Sequence, residues 1–275
     1  MTLDNKRLSF EFFPTKTPEG LAKLSNTCEQ LNAYEPEFFS VTYGAGGSTR
    51  DNTLNVVKTL RANGISIAPH LSFGNDNNDT LLTLLNDYKS LGVDRIVALR
   101  GDIPSGTGMT DPVYAEQLVR FIREHTDDHF HLEVAAYPEI HPQAPSYDKD
   151  VHFLKKKLDA GANTAITQYF FNSDAYFYFL DECHAQGIEQ PIYPGIMPII
   201  NFTNLQRFSN ACGADIPRWI TQRIEAFGDD QEAIQAFGCD VVSRLCQELL
   251  DGGAPGLHFY TMNQAKPTER ILKNL

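Results

Sequence analysis

Ser9-Phe10-Glu11-Phe12-Phe13-Pro14 is the stretch on which the fold turns. Aromatic runs of this kind favour strands, and side chains alternate along a strand. Phe10 and Phe12 therefore share one face, and Ser9, Glu11 and Phe13 share the other. Pro14 lacks an N–H and ends the pairing. A lone carboxylate in such a run needs water or a partner, because an unpaired buried charge is costly. Two readings are open. Glu11 is an edge-strand acid facing water, or it is an acid held in an apolar cleft with a raised pKa, ready to give or take a proton.

Outward from this stretch the chain repeats one rhythm: a short apolar run, a polar or Gly-rich turn, then helical spacing. Strands are predicted at Leu8–Phe13, Phe38–Thr42, Ile65–Ala68 running into Pro69-His70, Arg95–Leu99, Leu132–Ala136, Thr164–Gln168, Ile192–Met197 and Gly256–Tyr260. Pro18-Glu19 opens the first helix, with Leu21, Leu24, Cys28 and Leu31 spaced by three or four. Further helices are predicted from about Thr49 to Leu60, Asp76 to Leu91, Pro112 to Glu124 and Asp148 to Ala160, and to Ala185 after a cap at Ser173 or Asp174. From Thr203 to Leu250 one helix is expanded into several, with a pause at Gly213, and Gln264 to Leu275 can form the last. Strict alternation implies a parallel sheet. Eight units in a chain of 275 residues favour an α/β fold of the closed (β/α)8 TIM-barrel type, with residues 1–275 as a single domain.

The composition is that of a globular protein, 42% hydrophobic and 21% charged. A net charge of -12 argues against nonspecific binding to nucleic acid or anionic membranes, while leaving room for an anionic ligand in a local basic pocket. The five cysteines have no CxxC spacing, so neither a disulfide framework nor a zinc site is expected. The first residues carry no secretory apolar core, and no run approaches the roughly 20 apolar residues of a membrane helix, so a cytoplasmic location is expected.

Barrel enzymes gather their chemistry at the C-terminal ends of the strands. Those ends carry Glu11, Thr42, His70, Arg100 with Asp102, Tyr137 with Glu139 and His141, Gln168, and Tyr260. Ionisable groups collected on otherwise apolar strands favour the buried-acid reading of Glu11. Each neighbour also has a plainer explanation. Gly44-Ala45-Gly46-Gly47-Ser48 could cradle a phosphate, yet it is neither a Walker loop nor GxGxxG. Arg100-Gly101-Asp102 reads as a turn ion pair or a ligand contact. His70 and His141 lack HxH or HExxH spacing, so no metal is expected. Lys155-Lys156-Lys157 is a solvated helix face unless one lysine turns to the barrel mouth to meet a phosphate. Gln168 could read a heterocycle edge or satisfy backbone groups, and Phe202 is a loop aromatic, either core filler or a stacking platform.

The chain resembles the methylenetetrahydrofolate reductase family over nearly its whole length. The resemblance rests on Phe10-Glu11-Phe12-Phe13-Pro14, Val41-Thr42-Tyr43-Gly44-Ala45, Ala68-Pro69-His70-Leu71, Ala98-Leu99-Arg100-Gly101-Asp102, Ala136-Tyr137-Pro138-Glu139, Asp159-Ala160-Gly161-Ala162, Ile166-Thr167-Gln168-Tyr169-Phe170 and His258-Phe259-Tyr260-Thr261, in that order. It implies a barrel that holds FAD, takes hydride from NADH or NADPH, and reduces 5,10-methylenetetrahydrofolate to 5-methyltetrahydrofolate for methionine synthesis. It implies Glu11 as the general acid and Asp102 as a carboxylate beside flavin and pterin. Gln168, Phe202 and Tyr260 become substrate contacts. Thr42, Tyr43, Ala45, His70, Arg100, Gly101, Asp102, Tyr114, Ala115, Tyr137, His141, Ala144, Asp150, Lys156 and Lys157 become the FAD shell. A homo-oligomer without the regulatory extension of eukaryotic members is expected. Two other readings stay open on the residues: a metal-assisted hydrolase using His70, His141 and Asp102, and a flavin- or folate-binding module without turnover.

Overall fold

Strand alternates with helix from the first described residues onward. A computed structural model describes residues 6–43, 50–73, 78–100 and 114–275. The order is β1 (Arg7–Phe12), α1 (Pro18–Asn32), β2 (Phe38–Val41), α2 (Arg50–Ala62), β3 (Ile67–Leu71), α3 (Asn78–Ser90), β4 (Arg95–Ala98) and α4 (Ala115–Thr126). It continues with β5 (His131–Ala136), α5 (Tyr147–Asp159), β6 (Thr164–Tyr169), α6 (Ser173–Ala185), β7 (Ile192–Ile196), α7 (Phe202–Cys212), α8 (Arg218–Ala226), α9 (Gln231–Asp251), β8 (Gly256–Tyr260) and α10 (Ala265–Leu272). Neighbouring strands pair in parallel, in sequence order, and β8 closes onto β1. This is the (β/α)8 barrel that the alternation predicts.

Local chemistry sets the boundaries. Thr17 caps α1, its hydroxyl accepting from the Gly20 N–H at 3.1 Å, and Pro18 occupies the first turn, where a missing N–H costs nothing. Leu24, Cys28 and Leu31 then form the buried stripe. Two expectations are corrected. The cap of α6 is Asn172, not Ser173 or Asp174, because its carboxamide oxygen accepts from the Asp174 N–H at 3.1 Å. The third strand does not stop at Ala68 but runs through Pro69 to Leu71, with Pro69 paired to Val41, so the strand tolerates the loss of one donor. The expanded segment between β7 and β8 resolves into α7, α8 and α9. Gly213 ends α7 at φ +80, and a Cβ there would lie 2.9 Å from Pro142 Cγ.

Alternation sorts the strand side chains into two compartments. Phe10, Phe12, Phe39 and Phe259 face outward into the helix layer. There Phe12 stacks on Phe39 at 5.6 Å, and Phe10 meets Phe39 and Phe259 at 5.6 and 5.9 Å. Burying each such ring stabilises the fold by about 1.5–3 kcal/mol. Phe38, Ala68, Val97 and Ile166 face inward and form a separate apolar layer inside the barrel. Below them, at the N-terminal ends of the strands, Arg7 and Arg95 both bond the fully buried Glu133, and both reach Glu37. Thr164 donates to the other oxygen of Glu133. Removing one partner of such a set strands a buried charge, so the floor holds as a unit. With the floor plugged and the middle filled, the remaining inward positions lie at the C-terminal mouth.

Candidate active site

Glu11 points inward with Ser9, and the register places Ser9 beside His258 and Glu11 beside Tyr260. Ser9 Oγ lies 2.8 Å from His258 Nδ1. Glu11 Oε2 lies 3.3 Å from His70 Nε2 and 3.6 Å from His258 Nε2. Among the described residues neither imidazole nitrogen completes a hydrogen bond of normal geometry, and both are buried. The Glu11 side chain is 12% exposed, against 7% for His70 and 1% for His258, so the carboxylate is the most open of the three.

The raised pKa expected for Glu11 is corrected here. Burial pushes its carboxyl up, but the nearby His70 and His258 outweigh burial and hold it at about 2. The reason is geometric: Phe10 and Phe12 lie on the far face of β1, and imidazoles stand where an apolar cleft was expected. Burial pushes His258 down, with Glu11 opposing. The Ser9 hydroxyl at Nδ1 and the Glu11 carboxylate near Nε2 flank opposite nitrogens of the His258 ring.

Around this group the strand ends form a rim. The Thr42 N–H donates to Phe12 O at 3.0 Å and its C=O accepts from Thr53 Oγ1 at 3.0 Å. Its own hydroxyl, like that of Ser40, is buried without a partner among the described residues. Tyr43 follows, half-buried. Gln168 Oε1 accepts from the Tyr169 N–H at 3.0 Å. The Tyr260 hydroxyl donates to Thr167 O at 2.7 Å, and burial keeps the phenol well above its ordinary range. A shallow recess beside Gln168 is lined by Tyr137, Glu139, Tyr169 and Cys212.

A second group stands between β4, β5 and α5. The Arg100 guanidinium donates to Gln143 Oε1, and the Tyr137 and His141 rings meet edge to face at 4.6 Å. The His141 N–H donates to Asp150 Oδ2 at 2.7 Å, and the Ala144 N–H donates to His141 O at 2.8 Å. Lys157 Nζ donates to Ala135 O. Burial lowers Lys157 to about 8, with Asp150 opposing and Arg100 adding. Burial also lowers His141, and it raises Asp150 against the pull of the His141 N–H and Lys157. Lys157 thus lies within the field of both Asp150 and Arg100, two cations to one carboxylate on an acidic chain. Of the lysine run, Lys155 pairs with Asp159 at 2.8 Å and Lys156 is exposed, its Nζ 5.9 Å from the Phe153 ring centroid. Only Lys157 turns inward.

Other named residues fall elsewhere. Tyr114 is exposed and precedes α4, whose first residue, Ala115, is buried. Phe202 is corrected from loop to the first residue of α7, because the Asn201 side chain caps that helix by accepting from the Asn204 N–H at 2.9 Å; its ring packs half-buried on the main core. Ala45, Gly101 and Asp102, with the rest of the Gly44–Ser48 loop, lie outside the described residues. Among the described residues no three His, Cys, Asp or Glu side chains are grouped to hold a metal ion. No helix among them is long and apolar enough to cross a membrane. Ser9, His258, Thr261 and Asn263 were not singled out from the sequence. His258 shares parity with Tyr260, which is a signal. Its contact with Ser9, 249 residues away, needs the closed register.

A closed parallel barrel with a carboxylate and two imidazoles at its C-terminal mouth defines a (β/α)8-barrel enzyme equipped for proton handling. The family model described as Methylenetetrahydrofolate reductase matches residues 2–275. The chain belongs to the methylenetetrahydrofolate reductase family. It is 40% identical over 269 residues to the 5,10-methylenetetrahydrofolate reductase of Escherichia coli, covering 98% of this chain and 90% of that one. It is 38% identical over 283 residues to a probable methylenetetrahydrofolate reductase (NADH) of Oryza sativa, covering 97% of this chain and 48% of the plant protein. An uncharacterized Clostridium thermocellum protein that binds two copies of 5-methyl-5,6,7,8-tetrahydrofolic acid shares the fold, with a TM-score of 0.71 at 16% identity, covering 99% of this chain and 95% of that one. The chain is an oxidoreductase of the folate-reducing class.

Proposed function

We propose that residues 1–275 work as one catalytic domain that reduces 5,10-methylenetetrahydrofolate to 5-methyltetrahydrofolate. Hydride comes from NADH or NADPH and passes through FAD in a ping-pong cycle, feeding methionine synthesis in the cytoplasm. The observation that carries this reading is the Glu11–His70–His258 group at the mouth of a barrel of this family.

The residues present fit a flavin dinucleotide. Thr42 Oγ1 and His70 Nε2 are buried polar atoms short of partners among the described residues at the mouth, and Arg100 with Lys157 supplies positive charge suited to a pyrophosphate. Tyr43, Ala45, Gly101, Asp102, Tyr114, Ala115, Tyr137, His141, Ala144, Asp150 and Lys156 complete the proposed shell. FAD would supply the two-step passage of hydride between nicotinamide and folate.

The protein's own work is orientation and proton movement. The substrate's methylene bridge joins two nitrogens, and it accepts hydride only after one C–N bond opens to an iminium. Opening needs a proton on the departing nitrogen. Glu11, the most open of the three groups, delivers it, and His70 is the nearest group able to resupply it. A flat ring system seated over Glu11 would exclude water and drive its carboxyl upward from about 2, toward a value at which it can hold the proton. Asp102 would stabilise the cation by charge. Gln168, Phe202 and Tyr260 are proposed to hold the folate.

Purified protein should be yellow. NADH or NADPH should bleach the flavin anaerobically, and methylenetetrahydrofolate should restore the colour with 5-methyltetrahydrofolate as product. Colourless protein, or reduced flavin that folate fails to reoxidise, would reject the reading. The working form is proposed to be a homo-oligomer, which a monomer's mass in light scattering would refute.

A further inference from the structure

β1 ends two residues before Pro14, so Glu11 sits next to the last residue of a strand that cannot extend. Three hydrogen-bonded groups beyond β8 hold that end. Glu11 O accepts from Thr261 Oγ1 at 2.6 Å and from the Thr261 N–H at 3.3 Å. Thr261 Oγ1 accepts in turn from the Asn263 N–H at 3.2 Å. The Asn263 carboxamide meets both backbone groups of Phe13: Oδ1 accepts from the Phe13 N–H at 2.8 Å and Nδ2 donates to Phe13 O at 2.9 Å. A carboxamide can pair a donor and an acceptor at once, as a strand backbone does, whereas Asp has no donor and Leu has neither. Asn263 therefore continues the β8 ladder past Tyr260 with a side chain. To bring the carboxamide back over β1, Met262 and Asn263 both adopt left-handed backbone, φ +54 and +57. Asn tolerates that region better than most residues, and the conformation is costly enough to persist only when its surroundings hold it.

We propose that Thr261 and Asn263 are positioning residues that fix the depth of the Glu11 carboxylate between His70 and His258. The clamp touches only the backbone of residues 11 and 13, and acts through Glu11. Thr261 is fully buried, so its hydroxyl has no competing water. The inference rests on Glu11 as the proton donor to folate. A reacting group displaced by about 1 Å can lose roughly a hundredfold in rate, and a strand end released from these bonds would permit such a displacement.

The test measures the two half-reactions of the flavin-loaded protein separately. Asn263→Gly keeps the left-handed backbone and deletes only the carboxamide. Thr261→Val deletes the hydroxyl at nearly constant volume, and Thr261→Ser restores it. Flavin reduction by NADH or NADPH should stay within about twofold of the parent, while reoxidation by methylenetetrahydrofolate should fall by roughly tenfold to a hundredfold in the Gly and Val variants and recover in the Ser variant. Glu11→Gln, measured alongside, separates the two layers. If Glu11→Gln is selective for the folate step but Asn263→Gly and Thr261→Val slow both steps equally, or neither, the clamp is structural only and the inference is overturned. Failure of Thr261→Ser to recover overturns it equally. If Glu11→Gln itself is unselective, the underlying assignment of the acid falls instead. Should Asn263→Gly not fold, the Thr261 pair decides alone.

Discussion

Glu11 is pulled two ways. Burial favours its neutral form, and two imidazoles within 3.6 Å favour the carboxylate, which wins. The sign of the consequence for stability follows. The folded carboxyl lies at about 2 against an ordinary 4.5, so the unfolded chain binds more protons as the solution is acidified. The stabilisation is fully present above about pH 4.5 and is lost as pH falls toward 2. Urea denaturation at a series of pH values should show the parent losing more stability than Glu11→Gln across that window. Equal losses would mean that the imidazoles do not hold the carboxylate ionised. The inward direction of Glu11 was legible in strand alternation alone. The state of its proton was not, because the two rings that set it come from β3 and β8, and only barrel closure brings them to β1.

At the scale of elements, β6, β7 and β8 show how side chains mend an irregular ladder. The β6–β7 register shifts between Ile166 and Tyr169. Thr167 Oγ1 accepts from the Gly195 N–H at 2.9 Å, and Thr167 O accepts from the Tyr260 hydroxyl at 2.7 Å, so the break leaves both groups satisfied. Only a glycine fits beneath. A Cβ at position 195 would lie 2.1 Å from Thr167 O and 2.6 Å from Tyr260 Cε2. Gly195→Ala should destabilise the fold by about 3 kcal/mol and displace Tyr260. A change within about 0.5 kcal/mol on thermal denaturation would contradict this packing. Most elements were legible from spacing and turn residues. The errors fell where a neighbour overrode a local signal. Pro69 reads as a stop but lies inside β3, paired with Val41. Asn172 outcompetes Ser173 as a cap, and Asn201 turns the apparent loop residue Phe202 into the start of α7. Asn263 carries no local signal, because its partner, Phe13, is 250 residues away.

The whole molecule is a vessel closed at one end. Arg7, Arg95 and Glu133 plug the floor, the layer of Phe38, Ala68, Val97 and Ile166 fills the middle, and the ionisable groups stand at the mouth. This arrangement leaves one rim, rather than the interior, for the chemistry proposed for Glu11. The barrel could be read from its eightfold rhythm, and the family from motifs spread along the chain, whereas the floor network could not. Arg7, Arg95 and Glu133 are scattered charges until three strands align them. The cation pair Arg100 and Lys157 was visible only as separate residues, since the sequence does not tell which lysine of the run turns inward. The central claim is that the carboxyl of Glu11 serves the folate step of the cycle and not the nicotinamide step. Stopped-flow flavin absorbance of Glu11→Gln tests it most directly, with each half-reaction run alone. A selective block is predicted: flavin reduction by NADH or NADPH near the parent rate, and reoxidation by methylenetetrahydrofolate slowed by about 10²–10⁴-fold. Equal slowing of both steps, or unimpaired reoxidation, would contradict it.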